Sequence, residues 1–126
     1  MTVLIIGGAH QGKRALAQRV FGLSRSDIAD GQICTPETIG QTRAVDKLHC
    51  LTRRYPETDF RALLRGKIIL CDEIGCGVVP ADCADDAWRE TTGRLLCDIA
   101  AEADAVVRVL AGVPQVIKGH TEKVQE

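Results

Sequence analysis

Runs of apolar residues bounded by glycine set the frame of this chain. Residues 2–6 form a short, continuous apolar run that stops at Gly7-Gly8, the pattern of a parallel strand buried on both faces. Residues 12–21 follow as a helix, with Ala15, Leu16, Val20 and Phe21 roughly on one side. Residues 22–40 hold Ser24, Ser26, Asp27, Asp30, Gly31, Thr35 and Pro36, which favour turns, with a short strand hidden around Ile28 or Ile33. Residues 42–55 read as a helix through Val45, Leu48 and Leu51, closed by Pro56. Phe60, Leu63 and Leu64 suggest a helical turn or two before Gly66.

Residues 67–72 are the second convincing buried strand, running into a glycine-punctuated loop over residues 73–80. The longest helix spans residues 85–103, with Trp88, Leu95, Leu96 and Ile99 on its apolar side and Arg89, Glu90, Arg94, Asp98 and Glu102 on its polar one. Residues 105–110 form a third strand, and Gly112-Val113-Pro114 turns into a short hairpin strand at residues 115–118. Strands alternating with helices predict an α/β fold, P-loop NTPase-like, with a mostly parallel sheet flanked by helices. One domain over residues 1–119 and a polar tail over 120–126 are expected, without repeats or linkers.

Composition narrows the functional classes. Aromatic residues are 3% of the 126, so the core is aliphatic and few rings are available to stack single-stranded bases. Sixteen basic against 17 acidic residues give a net charge of −1, no field for DNA or RNA, and no nucleic-acid partner is expected. The first apolar run is too short for a signal peptide or membrane span, so a cytoplasmic protein is expected. Six cysteines include no Cys-x-x-Cys pair, and Cys71, Cys76 and Cys83 match no zinc spacing. Free, mostly buried thiols are therefore expected.

The candidate chemistry begins at the first turn. Gly7, Gly8, Ala9, His10, Gln11, Gly12, Lys13 and Arg14 fit G-x-x-x-x-G-K at every fixed position except the last, where serine or threonine is expected. The glycines let successive amides turn inward around phosphate oxygens, the helix N-terminus adds partial positive charge, and Lys13 reaches the outer phosphates of ATP or GTP. Arg14 cannot ligate Mg²⁺ as a hydroxyl would. Either water and carboxylates alone hold the metal, or Arg14 contacts phosphate, or phosphoryl transfer is impaired. The second apolar strand ends in Asp72 and Glu73, suited to position Mg²⁺ or an acceptor hydroxyl beside such a loop.

Glu73-Ile74-Gly75-Cys76-Gly77-Val78-Val79-Pro80 resembles the E-V-G-x-G-I-V-P segment of adenosylcobinamide kinases/adenosylcobinamide-phosphate guanylyltransferases. The similarity continues through Arg89, Gly93 and Arg94, which resemble the family's R-x-x-x-G-R helix, to Ala111-Gly112-Val113-Pro114 and the Ile117-Lys118 ending. The resemblance implies a Mg²⁺-dependent transferase of cobalamin biosynthesis. It would phosphorylate the aminopropanol hydroxyl of adenosylcobinamide from ATP or GTP, then transfer GMP to that phosphate through a guanylyl-histidine. It further implies that Gly8, Gly12 and Lys13 bind phosphates, that Glu73, Gly75 and Gly77 shape the catalytic rim, that Arg94 lies behind it, and that the chain forms a homo-oligomer.

Three departures matter. The chain is short between the loop and Lys67, so a strand–helix unit with its own acidic end is expected to be missing, leaving Asp72-Glu73 as the acidic strand terminus. The nearest candidate for the guanylylated histidine is His49, followed by Arg53 and Arg54; the other reading is a half-exposed helix histidine. The family's polar N-Q after G-R is replaced here by Leu96-Cys97. His10 lies within the loop, and His120 in the tail. Two rival readings follow: a nucleotide-binding subunit or sensor that transfers nothing, and a kinase with another small-molecule acceptor.

Overall fold

Strand β1 (Val3–Gly7) is apolar on both faces because both are covered. The computed structural model describes residues 1–8, 11–73 and 83–119, excepting the side chains of 83–85. Val3 and Ile5 point to one face and Leu4 to the other, and each such fully buried side chain contributes roughly 1.5–3 kcal/mol. The chain continues through α1 (Lys13–Phe21), β2 (Ile28–Asp30), β3 (Ala44–Asp46), α2 (Leu48–Arg54), β4 (Ile68–Asp72), α3 (Cys83–Glu102), β5 (Ala105–Leu110) and β6 (Val113–Lys118). Short 3-10 turns cover Arg25–Asp27 and Pro36–Gln41. One sheet takes the order β2-β3-β4-β1-β5-β6, parallel except for β6, which pairs antiparallel with β5. The expected α/β architecture, a mostly parallel sheet with flanking helices, is what the chain adopts.

Helix α1 buries Leu16, Ala17 and Val20 against Ile5, Leu70 and Val107 on one face of the sheet. On the other face, Leu48 and Leu51 of α2 and Ile99 of α3 pack with Leu4, Val45, Ile69 and Val106. Phe60 and Leu64 close that layer from the turn before β4, where the Leu64 amide donates to the Phe60 carbonyl. A buried hydroxyl pair joins α2 to α3: Thr52 and Thr92 lie 2.8 Å apart, and Trp88 Nε1 donates to the His49 carbonyl and to Thr52. Of the cysteines, Cys34, Cys50, Cys71 and Cys97 are free thiols; Cys76 lies outside the described residues and Cys83 has no described side chain.

The middle of the chain departs from the sequence reading. Residues 42–55 are not one helix. Ala44–Asp46 is a strand between β2 and β4, and Lys47 turns the chain with a left-handed φ of 55° into α2. Three residues are too short for a period of two to show, and Val45 falls by coincidence three before Leu48. The hidden strand lies at Ile28, whereas Ile33 is in an exposed turn. Most consequentially, the acidic strand end expected to be missing is present. Strand β3 ends in Asp46 and β2 in Asp30, so Asp72 is one of three. The hairpin strand starts at Val113 rather than residue 115; Pro114 is tolerated because β6 is an edge strand.

Candidate functional site

The C-terminal ends of β1 and β4 lie side by side, with Gly7 opposite Asp72. From β1 the chain leaves through α1 toward β2, and from β4 it leaves through α3 toward β5 on the opposite side. Adjacent strands whose connections run to opposite sides of the sheet mark a switch point, and open α/β sheets bind ligands there, beyond the carboxyl ends of the strands. A cleft of about 480 Å³ occupies the place, lined by Gln11, Gly12, Lys13, Arg14, Asp46, His49 and Asp72 among others.

The loop between β1 and α1 is held by its glycines and by the β5–β6 turn. Gly12 has φ +90°, which a side chain rarely adopts, and places the first turn of α1 behind the cleft. An alanine methyl at Gly7 would lie 2.5 Å from the Val109 carbonyl oxygen, so β5 admits only glycine there. Gln11 ties the loop across: its carbonyl accepts the Gly112 amide at 2.9 Å, and its side-chain oxygen accepts the Ala111 amide. Ala9 and His10 lie outside the described residues, as do residues 74–82 and His120.

Lys13 is almost fully buried. Its Nζ donates to the carbonyls of Gly8 (2.8 Å) and Gly7 (3.3 Å) and to Asp72 Oδ1 (2.8 Å). The other Asp72 oxygen lies 3.4 Å from His49 Nε2, while the Asp72 amide donates to His49 Nδ1 at 3.2 Å. An imidazole that accepts at Nδ1 carries its neutral-state proton on Nε2. Burial lowers the His49 pKa below the usual histidine value, and the Asp72 charge opposes this without reversing it. His49 is thus a neutral ring that accepts the Asp72 amide at Nδ1, with Nε2 3.4 Å from the Asp72 carboxylate. Burial also pushes the neighbouring Cys71 thiol up to about 12, so it is unionised.

Arg14 crosses to β3, where its Nη1 is 3.3 Å from Asp46 Oδ2, and Asp46 Oδ1 accepts the Lys47 amide at 2.8 Å. Lys47 reaches Gln32 at 3.1 Å and Asp30 at 3.8 Å. Glu73 turns away from the cleft to Arg108 on β5, with contacts of 2.9 and 3.2 Å. Arg94 pairs with Glu90 on the exposed side of α3.

The structure therefore gathers Gly7, Gly8, Gln11, Gly12, Lys13, Arg14, His49 and Asp72 and leaves Glu73 at the rim. Asp46, Lys47 and Asp30 were missed from sequence. The signal that could have found them is repetition, since Ile28-Ala29-Asp30 and Ala44-Val45-Asp46 are both two apolar residues closed by an acid.

The residues expected to hold Mg²⁺ do not fit it as arranged. Asp72 faces Lys13 and His49, Glu73 faces Arg108, and Asp46 faces Arg14. Among the described residues, no group of three or more His, Cys, Asp or Glu could hold a metal ion.

Residues 49–117 match the family described as cobinamide kinase / cobinamide phosphate guanyltransferase, and the match covers over half the chain. The chain belongs to that family. No curated protein matches the sequence. The cobinamide kinase / cobinamide phosphate guanyltransferase match takes in α2, β4 and β5, with His49, Asp72 and Glu73. Its P-loop-like fold agrees with the parallel sheet found here. At the family level, membership associates the chain with cobalamin biosynthesis and with kinase and guanyltransferase enzymes. The loop from Gly7 to Arg14 and the acid Asp46 precede the matched stretch. Among the described residues, no helix is long and apolar enough to cross a membrane.

Proposed function

We propose that this chain binds ATP or GTP through the loop from Gly7 to Arg14 and phosphorylates the hydroxyl of adenosylcobinamide in the cleft between β1 and β4. One observation carries the reading. A glycine loop between the central strand and a helix places a buried lysine on the carboxylate that ends the neighbouring strand. Lys13 now holds two loop carbonyls and Asp72, and arriving phosphate oxygens would replace those partners. Asp72, released from Lys13, would accept the proton of the acceptor hydroxyl. The hydroxyl oxygen then forms its bond to the γ-phosphorus as the bridging bond to the diphosphate breaks. Positioning and charge placement supply most of the catalysis in such transfers.

His49 is assigned to positioning Asp72. Guanylyl transfer through His49 would require Nδ1, which carries the lone pair, to leave the Asp72 amide, so the kinase half is the activity proposed for this cleft. Incubating purified chain with adenosylcobinamide and ATP or GTP, then resolving corrinoids by mass spectrometry, tests the proposal. A phosphorylated corrinoid that disappears in Asp72→Asn supports it, and an unmodified corrinoid with both nucleotides refutes it.

The second reading is a nucleotide-binding subunit or sensor that transfers nothing. It is favoured by the pairing of each strand-end acid with a cation, which leaves none disengaged as a base or metal ligand. Tight nucleotide binding without turnover would select it. Turnover of another small alcohol, with the corrinoid inert, would instead move the acceptor. A cytoplasmic location and a homo-oligomer accompany the proposal.

A further inference from the structure

In a phosphate loop of this spacing, the residue after the lysine is a serine or threonine whose hydroxyl ligates Mg²⁺. Here it is Arg14, whose guanidinium offers five N–H donors and no lone pair. Its Nη1 lies 3.3 Å from Oδ2 of Asp46, whose side chain is 9% exposed and whose other oxygen accepts the Lys47 amide. On one side Lys13 holds Asp72 at 2.8 Å, and on the other Lys47 stands 3.8 Å from Asp30. Three neighbouring strands end in carboxylates, and a side-chain cation faces each. Mg²⁺ binds through one or two carboxylates plus substrate phosphates in a near-octahedral shell. Entering here with the phosphates, it would stand beside the Lys13 ammonium and the Arg14 guanidinium against like charge.

We infer that Arg14 supplies the positive charge that Mg²⁺ brings to such clefts, so that the chain binds the metal-free nucleoside triphosphate. This rests on the reading of residues 7–14 as a phosphate loop. The Arg14 side chain is 37% exposed on the cleft wall, so its planar fork can swing from Asp46 to two phosphate oxygens. Asp46 keeps the Lys47 amide when it does. The ligand recognised is then the free tetra-anion rather than its magnesium complex.

Calorimetric titration of the whole chain with GTP and with ATP, once in EDTA and once in excess Mg²⁺, tests this. The dissociation constant in EDTA should lie within about fivefold of the Mg²⁺ value. Arg14→Ser, which installs the hydroxyl, should bind about tenfold or more weakly in EDTA and recover on adding Mg²⁺. If that variant does not fold, Arg14→Lys, which keeps the charge without the fork, should weaken binding alike in both media. Wild-type binding lost in EDTA but present in Mg²⁺ overturns the inference and leaves the phosphate loop standing. Arg14→Ser binding in EDTA as tightly as wild type also overturns it. No binding in either medium overturns the phosphate-loop reading itself, and this inference with it.

Discussion

Replacing Thr52 and Thr92 by valine, singly and together, perturbs the joint that carries His49 on α2 against α3. Valine keeps the volume of threonine and removes only the hydroxyl. Thr52 Oγ1 donates to the His49 carbonyl at 3.1 Å and accepts from Trp88 at 3.1 Å, so Thr92 is left as the donor across their 2.8 Å contact. Thr92→Val therefore removes one hydrogen bond and strands no donor, which should cost about 1 kcal/mol. Thr52→Val leaves the Thr92 hydroxyl without this partner at 0% exposure, and the desolvated group should raise the loss to about 2–3 kcal/mol. The His49 carbonyl keeps Trp88 at 2.9 Å in that variant. In the double variant nothing is stranded, so its loss should fall short of the sum of the singles by about 1 kcal/mol. Urea unfolding of the four proteins, followed by Trp88 fluorescence and by circular dichroism, reads the cycle. Losses that add to within about 0.5 kcal/mol would show that the two hydroxyls do not bond to each other.

Gly7→Ala should destabilise by about 1–3 kcal/mol or more, since the methyl meets the Val109 carbonyl at 2.5 Å and β1 or β5 must move; a urea midpoint equal to wild type would contradict this. The depressed pKa of His49 means that below the unfolded value of 6.5 the unfolded chain binds more protons than the native one. Stability should therefore fall as pH drops from 7 through 6.5 toward 5, and His49→Gln should flatten the fall, as read by urea midpoints across that range. Cys71, buried and unionised, should resist iodoacetamide at pH 8 in the native state while exposed Cys97 reacts, with peptide mass mapping to tell them apart. The same shift removes stability between about pH 9 and about 12, as the unfolded thiol loses its proton first.

How far the chain could be read before folding depended on the length of each signal. Strands β1, β4 and β5 are runs of five or six residues buried in the middle of the sheet, and continuous apolar sequence announces them. Helix α3, with 20 residues, shows its apolar side over several turns. Strands β2 and β3 have three residues each, below the length at which any period is visible, and β3 was absorbed into the helix after it. With β3 went Asp46, the acid that meets Arg14. An ion pair between residues 32 positions apart leaves no trace in local pattern, so nothing near Arg14 in the sequence points to Asp46. The glycines and Lys13 were legible because their spacing lies within one short segment. The pairing of Lys13 with Asp72 needed the register of β1 on β4, which only the folded sheet supplies.

The most direct measurement is the association of GTP and ATP with the purified chain by calorimetry, in wild type and in Lys13→Ala. Wild type should show saturable one-to-one binding of at least one nucleotide, weakened about tenfold or more when the ammonium is removed from a chain that still folds. Absence of heat with both nucleotides from a folded wild-type chain, or binding that Lys13→Ala leaves untouched, would contradict it.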